Sequence, residues 1–147
     1  MASSAVPRDL VARLVRDLKR RGVDYADVRY EHLLHESLLA EQGRVASVSL
    51  HESAGIGIRV LLNGSWGFAS TPHLTPTHLK RAVSHAIELA KAVSSINTQP
   101  RPLTPETPAR SVYRSRYAID PFEVPLSKKL DYLLWANTSL LGPDAIT

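Results

Sequence analysis

The 147-residue sequence contains no cysteine. That removes a disulfide framework, a cysteine-ligated zinc or iron–sulfur site and a thiol nucleophile. Apolar runs are short, as at Val60-Leu61-Leu62, and no uninterrupted apolar segment follows a basic N-terminus, so neither a membrane span nor a secretory leader is expected and the chain reads as cytoplasmic. Aromatic residues are sparse at 6%. Acidic residues are outnumbered, 14 against 18 Lys and Arg, giving a formal charge of +4. Such an excess invites a nucleic-acid partner, but it is divided between residues 1–29 and 80–116, while 30–79 and 117–147 are net acidic. With 44% hydrophobic and 22% charged residues, what is present suffices for one folded domain.

Leu10, Val11, Leu14, Val15 and Leu18 recur at helical spacing between Arg8 and Arg21, with Pro7 suited to the first turn and Gly22 to a left-handed terminus. The period then changes to two. Ala26, Val28 and Tyr30 alternate with Asp27, Arg29 and Glu31, predicting a strand over about 25–34. Residues 37–41 and 44–50 flank Gln42-Gly43 as one hairpin, and Ile56–Leu62 and Ser65–Ala69 flank Asn63-Gly64 as another. Asn-Gly is the pair that best tolerates the two positive φ angles of a type I′ turn. Leu74-Thr75-Pro76 then opens a helix running to about Ser94, with Thr75 as N-cap, Leu74 and Leu79 as a hydrophobic staple, and an alanine-rich stripe of Leu79, Ala82, Val83, Ala86, Ile87 and Ala90. Six prolines between Asn97 and Pro125 predict an extended arm, whose apolar part at 111–125 is expected to pack on its own domain or a partner while 97–109 is more mobile. Ser127 is expected to cap a last helix reaching about Leu141, with Gly142-Pro143 ending it. The fold class is therefore α+β: an N-terminal helix, an antiparallel meander of four to five strands, a packed helix, a proline-rich arm and a C-terminal helix. Residues 1–96 form the domain, 97–125 the arm and 126–147 a helix leading onward.

No catalytic constellation emerges from spacing. His35-Glu36 and His51-Glu52 each lack the second histidine one helical turn on that a zinc site with a glutamate base requires, and both fall in strand sequence. Of the other histidines, His32, His78 and His85 are read as solvated or half-buried. Gly55 and Gly57 alternate in a strand, which marks either close backbone approach or an edge for peptide addition. Trp66 and Phe68 share a sheet face and are read first as a core pair, alternatively as a binding platform. Arg101, Arg110, Arg114 and Arg116 either contact phosphates or pair with acidic surface elsewhere.

Taken in series, Asp24-Tyr25-Ala26-Asp27-Val28-Arg29-Tyr30-Glu31, His35-Glu36-Ser37, Gly55-Ile56-Gly57-Ile58-Arg59-Val60 and Trp66-Gly67-Phe68-Ala69-Ser70-Thr71 resemble the N-terminal domain of the TldD/PmbA metallopeptidases, on the TldD-like side. Leu74-Thr75-Pro76, Tyr113-Arg114-Ser115 and Ile119-Asp120-Pro121-Phe122-Glu123-Val124-Pro125-Leu126 extend the similarity over nearly the whole chain. The resemblance implies a cytoplasmic zinc peptidase of two subunits that takes unfolded peptides into an enclosed chamber and is also described as a modulator of DNA gyrase. Its catalytic His-Glu-x-x-x-His motif and C-terminal ligand are absent here, so no catalytic or metal residue is assigned and the chain alone is expected to be inactive and zinc-free. It reads as a non-catalytic first domain, or a lone short copy, shaping a peptide chamber and a contact with a like or unlike partner subunit. Candidate peptide- or partner-binding residues are Gly55, Gly57, Arg59, Trp66, Phe68, Tyr117 and Phe122. The alternative is a standalone module for nucleic acid or a gyrase-type partner, with nucleic acid the less favoured.

Overall fold

The computed structural model describes residues 8–97, 99, 103, 104, 107, 109 and 111–141. Helix α1 (Arg8–Arg20) is followed by strands β1 (Tyr25–Glu41), β2 (Arg44–Leu62) and β3 (Ser65–Thr71), then helices α2 (Pro76–Ser94) and α3 (Leu126–Leu140). The strands form one sheet in the order β1-β2-β3. The meander therefore has three strands where four to five were expected. The predicted pieces at 25–34 and 37–41 are one strand, as are 44–50 and 56–62, because neither proline nor a left-handed glycine interrupts 31–41 or 44–54 and an exposed ladder needs no strict alternation.

Both hairpins turn where expected, and Asn63-Gly64 has the expected type I′ angles. Gln42 (φ 50°) and Gly43 (φ 73°) connect β1 to β2, and Asn63 (φ 49°) and Gly64 (φ 71°) connect β2 to β3, each pair having the two positive φ angles of a type I′ turn. Asp24 pins the second turn: its Oδ2 accepts from the Asn63 backbone N–H at 2.6 Å, while its own N–H donates to the Leu61 carbonyl at 3.0 Å. Gly22 ends α1 at φ 77°. Pro7 and Gly142-Pro143, named as helix punctuation, lie outside the described residues.

Two units make up the chain, residues 1–33 with 52–105 and residues 34–51 with 106–147. In the first, Leu14 and Leu18 of α1, Ala26 of β1, Ile56, Ile58 and Val60 of β2, Ala69 of β3 and the whole predicted α2 stripe form the core. Full burial of each large aliphatic side chain contributes about 1.5–3 kcal/mol. Helix α2 lies close on β3: a Cβ on Gly67 would stand 2.0 Å from the Ala86 carbonyl oxygen and 2.6 Å from the Ala90 nitrogen. Thr75 precedes Pro76 as N-cap in extended conformation, but its hydroxyl bonds His78 Nδ1 at 2.7 Å instead of a backbone N–H. Leu79 of the predicted staple is buried, while Leu74 stays exposed.

In the second unit the hairpin tip, 34–41 with 44–51, carries α3. Asn137 Oδ1 accepts from the Gly43 N–H at 2.6 Å and its Nδ2 donates to the Ala40 carbonyl at 3.5 Å, while Lys129 pairs with Glu36. Helix α3 buries none of its residues fully. Ser127 is inside the first turn and Pro125 is the N-cap, a correction to the expected start: proline cannot continue a helix backwards but its carbonyl still accepts from Lys129 at 3.2 Å. The apolar residues of 111–125 do not pack within the unit. Val112 is 83% and Tyr113 88% exposed, with Tyr117, Ile119 and Phe122 also exposed and Val124 half-buried. Much of 97–109 lies outside the described residues.

Candidate functional site

Among the described residues of the first unit, helices meet one face of the sheet. Ala26, Ile56, Ile58, Val60, Ser65, Gly67, Ala69 and Thr71 are buried on that side, so Tyr25, Asp27, Arg29, Glu31, Gly55, Gly57, Arg59, Trp66, Phe68 and Ser70 alternate onto the other. Trp66 and Phe68 are therefore not a core pair: they are 39% and 57% exposed. The cause is the close approach of α2, which leaves room only for Ser65, Gly67, Ala69 and Thr71 beneath it. The alanine-rich stripe of α2 was the signal, since a helix that lies close demands small partners.

On this outer face the register pairs Leu61 with Trp66, Arg59 with Phe68 and Gly57 with Ser70. Leu61 is buried although it faces outward, and Tyr25 and Trp66 meet edge to face at 5.9 Å beside it. Arg59 completes this closed end. Its Nε and Nη2 both donate to Asp27 Oδ2, at 2.8 and 2.7 Å, and its guanidinium carbon stands 4.8 Å over the Trp66 ring. The hydrogen bond to Asp27, partly opposed by desolvation, raises the already high pKa of Arg59, so it is a fixed cation.

Beyond Arg59 the face opens into a cavity of about 640 Å³ lined by Asp27, Arg29, Glu31, Leu33, Ser53, Ala54, Gly55, Ile56, Gly57, Arg59, Phe68, Ser70, Thr71 and Pro72. Neighbours close over both glycines of the central strand: a Cβ on Gly55 would stand 3.1 Å from the Thr71 carbonyl oxygen, and one on Gly57 3.3 Å from the Phe68 ring. Arg29 is 3.8 Å from Glu31.

Four of the seven expected site residues, Gly55, Gly57, Arg59 and Phe68, line this one cavity, and Trp66 adjoins it through Arg59. Tyr117 and Phe122 belong to the other unit, where Phe122 has Lys129 Nζ 5.8 Å from its ring centre. The edge reading of Gly55 and Gly57 is corrected: β2 is the central strand, and Gly57 pairs with Ser70, so no peptide can add a strand there. Asp27, Arg29 and Glu31 were legible only as a wet strand face, because their partners are set by cross-strand register.

Among the described residues no three His, Asp or Glu side chains stand close enough to hold a metal ion. His32 Nε2 and Glu52 Oε1 form a pair at 2.8 Å, and the His73 and His78 rings are 4.7 Å apart, each short of a zinc ligand set. No helix among the described residues is long and apolar enough to cross a membrane.

Residues 26–90, which contain every residue lining the cavity, match the family model described as PmbA/TldA metallopeptidase domain 1. The chain is 30% identical over 126 residues to a metalloprotease TldD homolog of Buchnera aphidicola, spanning 84% of this chain and 24% of that protein. It is 28% identical over 74 residues to a zinc metalloprotease TldD homolog of Saccharolobus solfataricus, spanning 50% of this chain and 16% of that one. The crystal structure of TldE from Thermococcus kodakarensis shares the fold with a TM-score of 0.59 at 19% identity, over 82% of this chain and 27% of that chain. The chain thus spans no more than a quarter of the curated relatives it matches.

Proposed function

The chain belongs to the PmbA/TldD metallopeptidase family through its first domain, and we propose that it is the non-catalytic N-terminal part of such an enzyme, shaping the path of a peptide substrate and the contact with a partner subunit. One observation carries this reading: the segment that matches the family contains an open cavity on a sheet face that its own helices leave uncovered. In this reading residues 1–96 are the α+β domain, 97–125 an arm and 126–147 the lead into a further domain, all in the cytoplasm. One relative is named a zinc metalloprotease, but the described residues here do not fit a zinc ion, so hydrolysis is assigned to the parts of the longer relatives that this chain does not match.

Titration of the intact chain with short unstructured peptides, followed by NMR, tests the proposal. Shifts confined to residues around Gly55, Gly57 and Phe68 are the expected result. Binding of duplex DNA with a steep inverse dependence on salt, and none of peptide, would overturn it in favour of a nucleic-acid module. The geometry supports the peptide: the two arginines lining the cavity each stand by a carboxylate, leaving little charge for phosphate.

A further inference from the structure

We infer that the free edge of β3 is an antiparallel addition site for the main chain of an extended peptide, which becomes a fourth strand beside Trp66, Phe68 and Ser70. The inference rests on the peptide reading of the chain and adds to it where and by what groups the peptide is held. Register supplies the first support. Leu62 and Ser65 flank a two-residue type I′ turn, so they exchange both of their backbone hydrogen bonds, and by alternation so do Val60 with Gly67, Ile58 with Ala69 and Ile56 with Thr71. The N–H and C=O groups of Trp66, Phe68 and Ser70 therefore point away from β2, to the side where the sheet ends. Among the described residues these groups have no hydrogen-bond partner. The run is bounded at both ends: the preceding outward carbonyl, that of Gly64, accepts from Asn97 Nδ2 at 3.2 Å, and the next outward position, Pro72, has no N–H to offer. Groups spaced two residues apart along an extended backbone match the spacing of another extended backbone.

What this edge lacks is the second support. Sheet edges are ordinarily blunted by charge or proline, and β1, the other edge, carries Asp27, Arg29 and Glu31 in this unit. Strand β3 reads Ser-Trp-Gly-Phe-Ala-Ser-Thr and has neither. A second copy of the chain does not fit as the occupant. A Cβ on Gly67 would reach the α2 backbone at Ala86 and Ala90, so α2 stands directly over the edge strand. Two β3 strands paired about 4.8 Å apart would bring their α2 helices well inside the roughly 8–10 Å that packed helices need. The same closeness restricts the peptide. Its residues opposite Trp66, Phe68 and Ser70 lie on the uncovered face, whereas those opposite Gly67 and Ala69 come under the flank of α2 and have to be small.

The test uses the intact chain and an acetylated, amidated Ser-Val-Ala-Thr-Ala-Val-Ser peptide, read by NMR titration and amide hydrogen exchange. In antiparallel pairing the Val and Thr residues direct their N–H groups at β3 and the two Ala direct theirs away. N-methylation of Val, Thr and Val is therefore expected to weaken binding at least about tenfold, and N-methylation of the two Ala to change it less than about threefold. Replacing both Ala by Leu is expected to weaken it about tenfold, by overpacking against α2. Exchange at the Trp66, Phe68 and Ser70 amides, fast in the free chain, is expected to slow on binding, while Gly67 and Ala69 are protected throughout. Ser70→Pro removes one outward donor without touching the β2 ladder and is expected to weaken binding about tenfold, thermal melting showing that the variant is folded. Equal sensitivity to the two N-methylation patterns, no added protection at Trp66, Phe68 and Ser70, or undiminished binding of the Leu peptide would overturn the inference while leaving the peptide reading standing. Self-association abolished by Ser70→Pro would overturn it in favour of a second copy at this edge. No binding of any of these peptides at millimolar concentration would overturn both the inference and the peptide reading.

Discussion

At the scale of single residues, three glycines separate three physical roles. Gly67 is required by close approach: Gly67→Ala would force its Cβ into the backbone of α2 at Ala86 and Ala90. A loss of about 3 kcal/mol is expected, seen as a melting temperature lowered by roughly 10 °C. Gly57 meets only the edge of an exposed, movable Phe68 ring. There Gly57→Ala is expected to change stability by less than about 1 kcal/mol, because the gain in strand propensity offsets the displaced ring. Gly64 is required by its backbone angle of +71°; Gly64→Val is expected to cost about 1–3 kcal/mol by the same melting assay. Arg59 adds a statement about pH. Its folded-state pKa lies above its unfolded value, so with Asp27 ionised the stabilisation is fully present below that unfolded value and is lost as pH rises through the folded one. The Arg59 contribution to melting is therefore expected to be flat between neutral pH and pH 10.

Among the elements, α2 and α3 are held by opposite means. Six buried apolar residues fasten α2 to the sheet. Helix α3 buries none fully; beside the half-buried Leu130, Leu133 and Leu134 it has Asn137 on the Gly43 turn and the Lys129–Glu36 pair, whose side chains are only 15% and 24% exposed. Removing one partner strands the other in a half-buried place, whereas removing both costs less. Lys129→Met is therefore expected to speed hydrogen exchange in 126–140 by about tenfold while exchange in α2 stays unchanged, and adding Glu36→Leu should recover part of the loss. Uniform acceleration of both helices would show that α3 and the core open as one.

Over the whole molecule, the two units differ in how well they satisfy their own apolar surface. The first has a closed core. The second exposes Val112, Tyr113, Tyr117 and Ile119 in one short stretch of arm and Tyr132, Trp135 and Leu140 on α3. Apolar exposure of this density favours association. Sedimentation of the intact chain is expected to show concentration-dependent self-association, reduced by the triple substitution Val112→Ser, Tyr113→Ser and Ile119→Ser, which touches no buried position.

Features set within a few residues are legible before any fold is known. Asn63-Gly64 fixed a turn because few other pairs take two positive φ angles, and Pro76 with the 79–90 stripe fixed the start and buried face of α2. The family resemblance too lay in short strings of consecutive residues, most of them on the three strands. The tertiary structure alone decided what depends on residues far apart. Asn137 bonds Gly43 across 94 positions, and Arg59 finds Asp27 across 32. No local pattern names those partners, since shifting strand register by one residue exchanges every face. The same holds for Trp66 and Phe68: hydrophobicity assigns them to a core, but α2 lies so near Gly67 that only small residues fit beneath it, and the large rings turn outward to flank the open cavity.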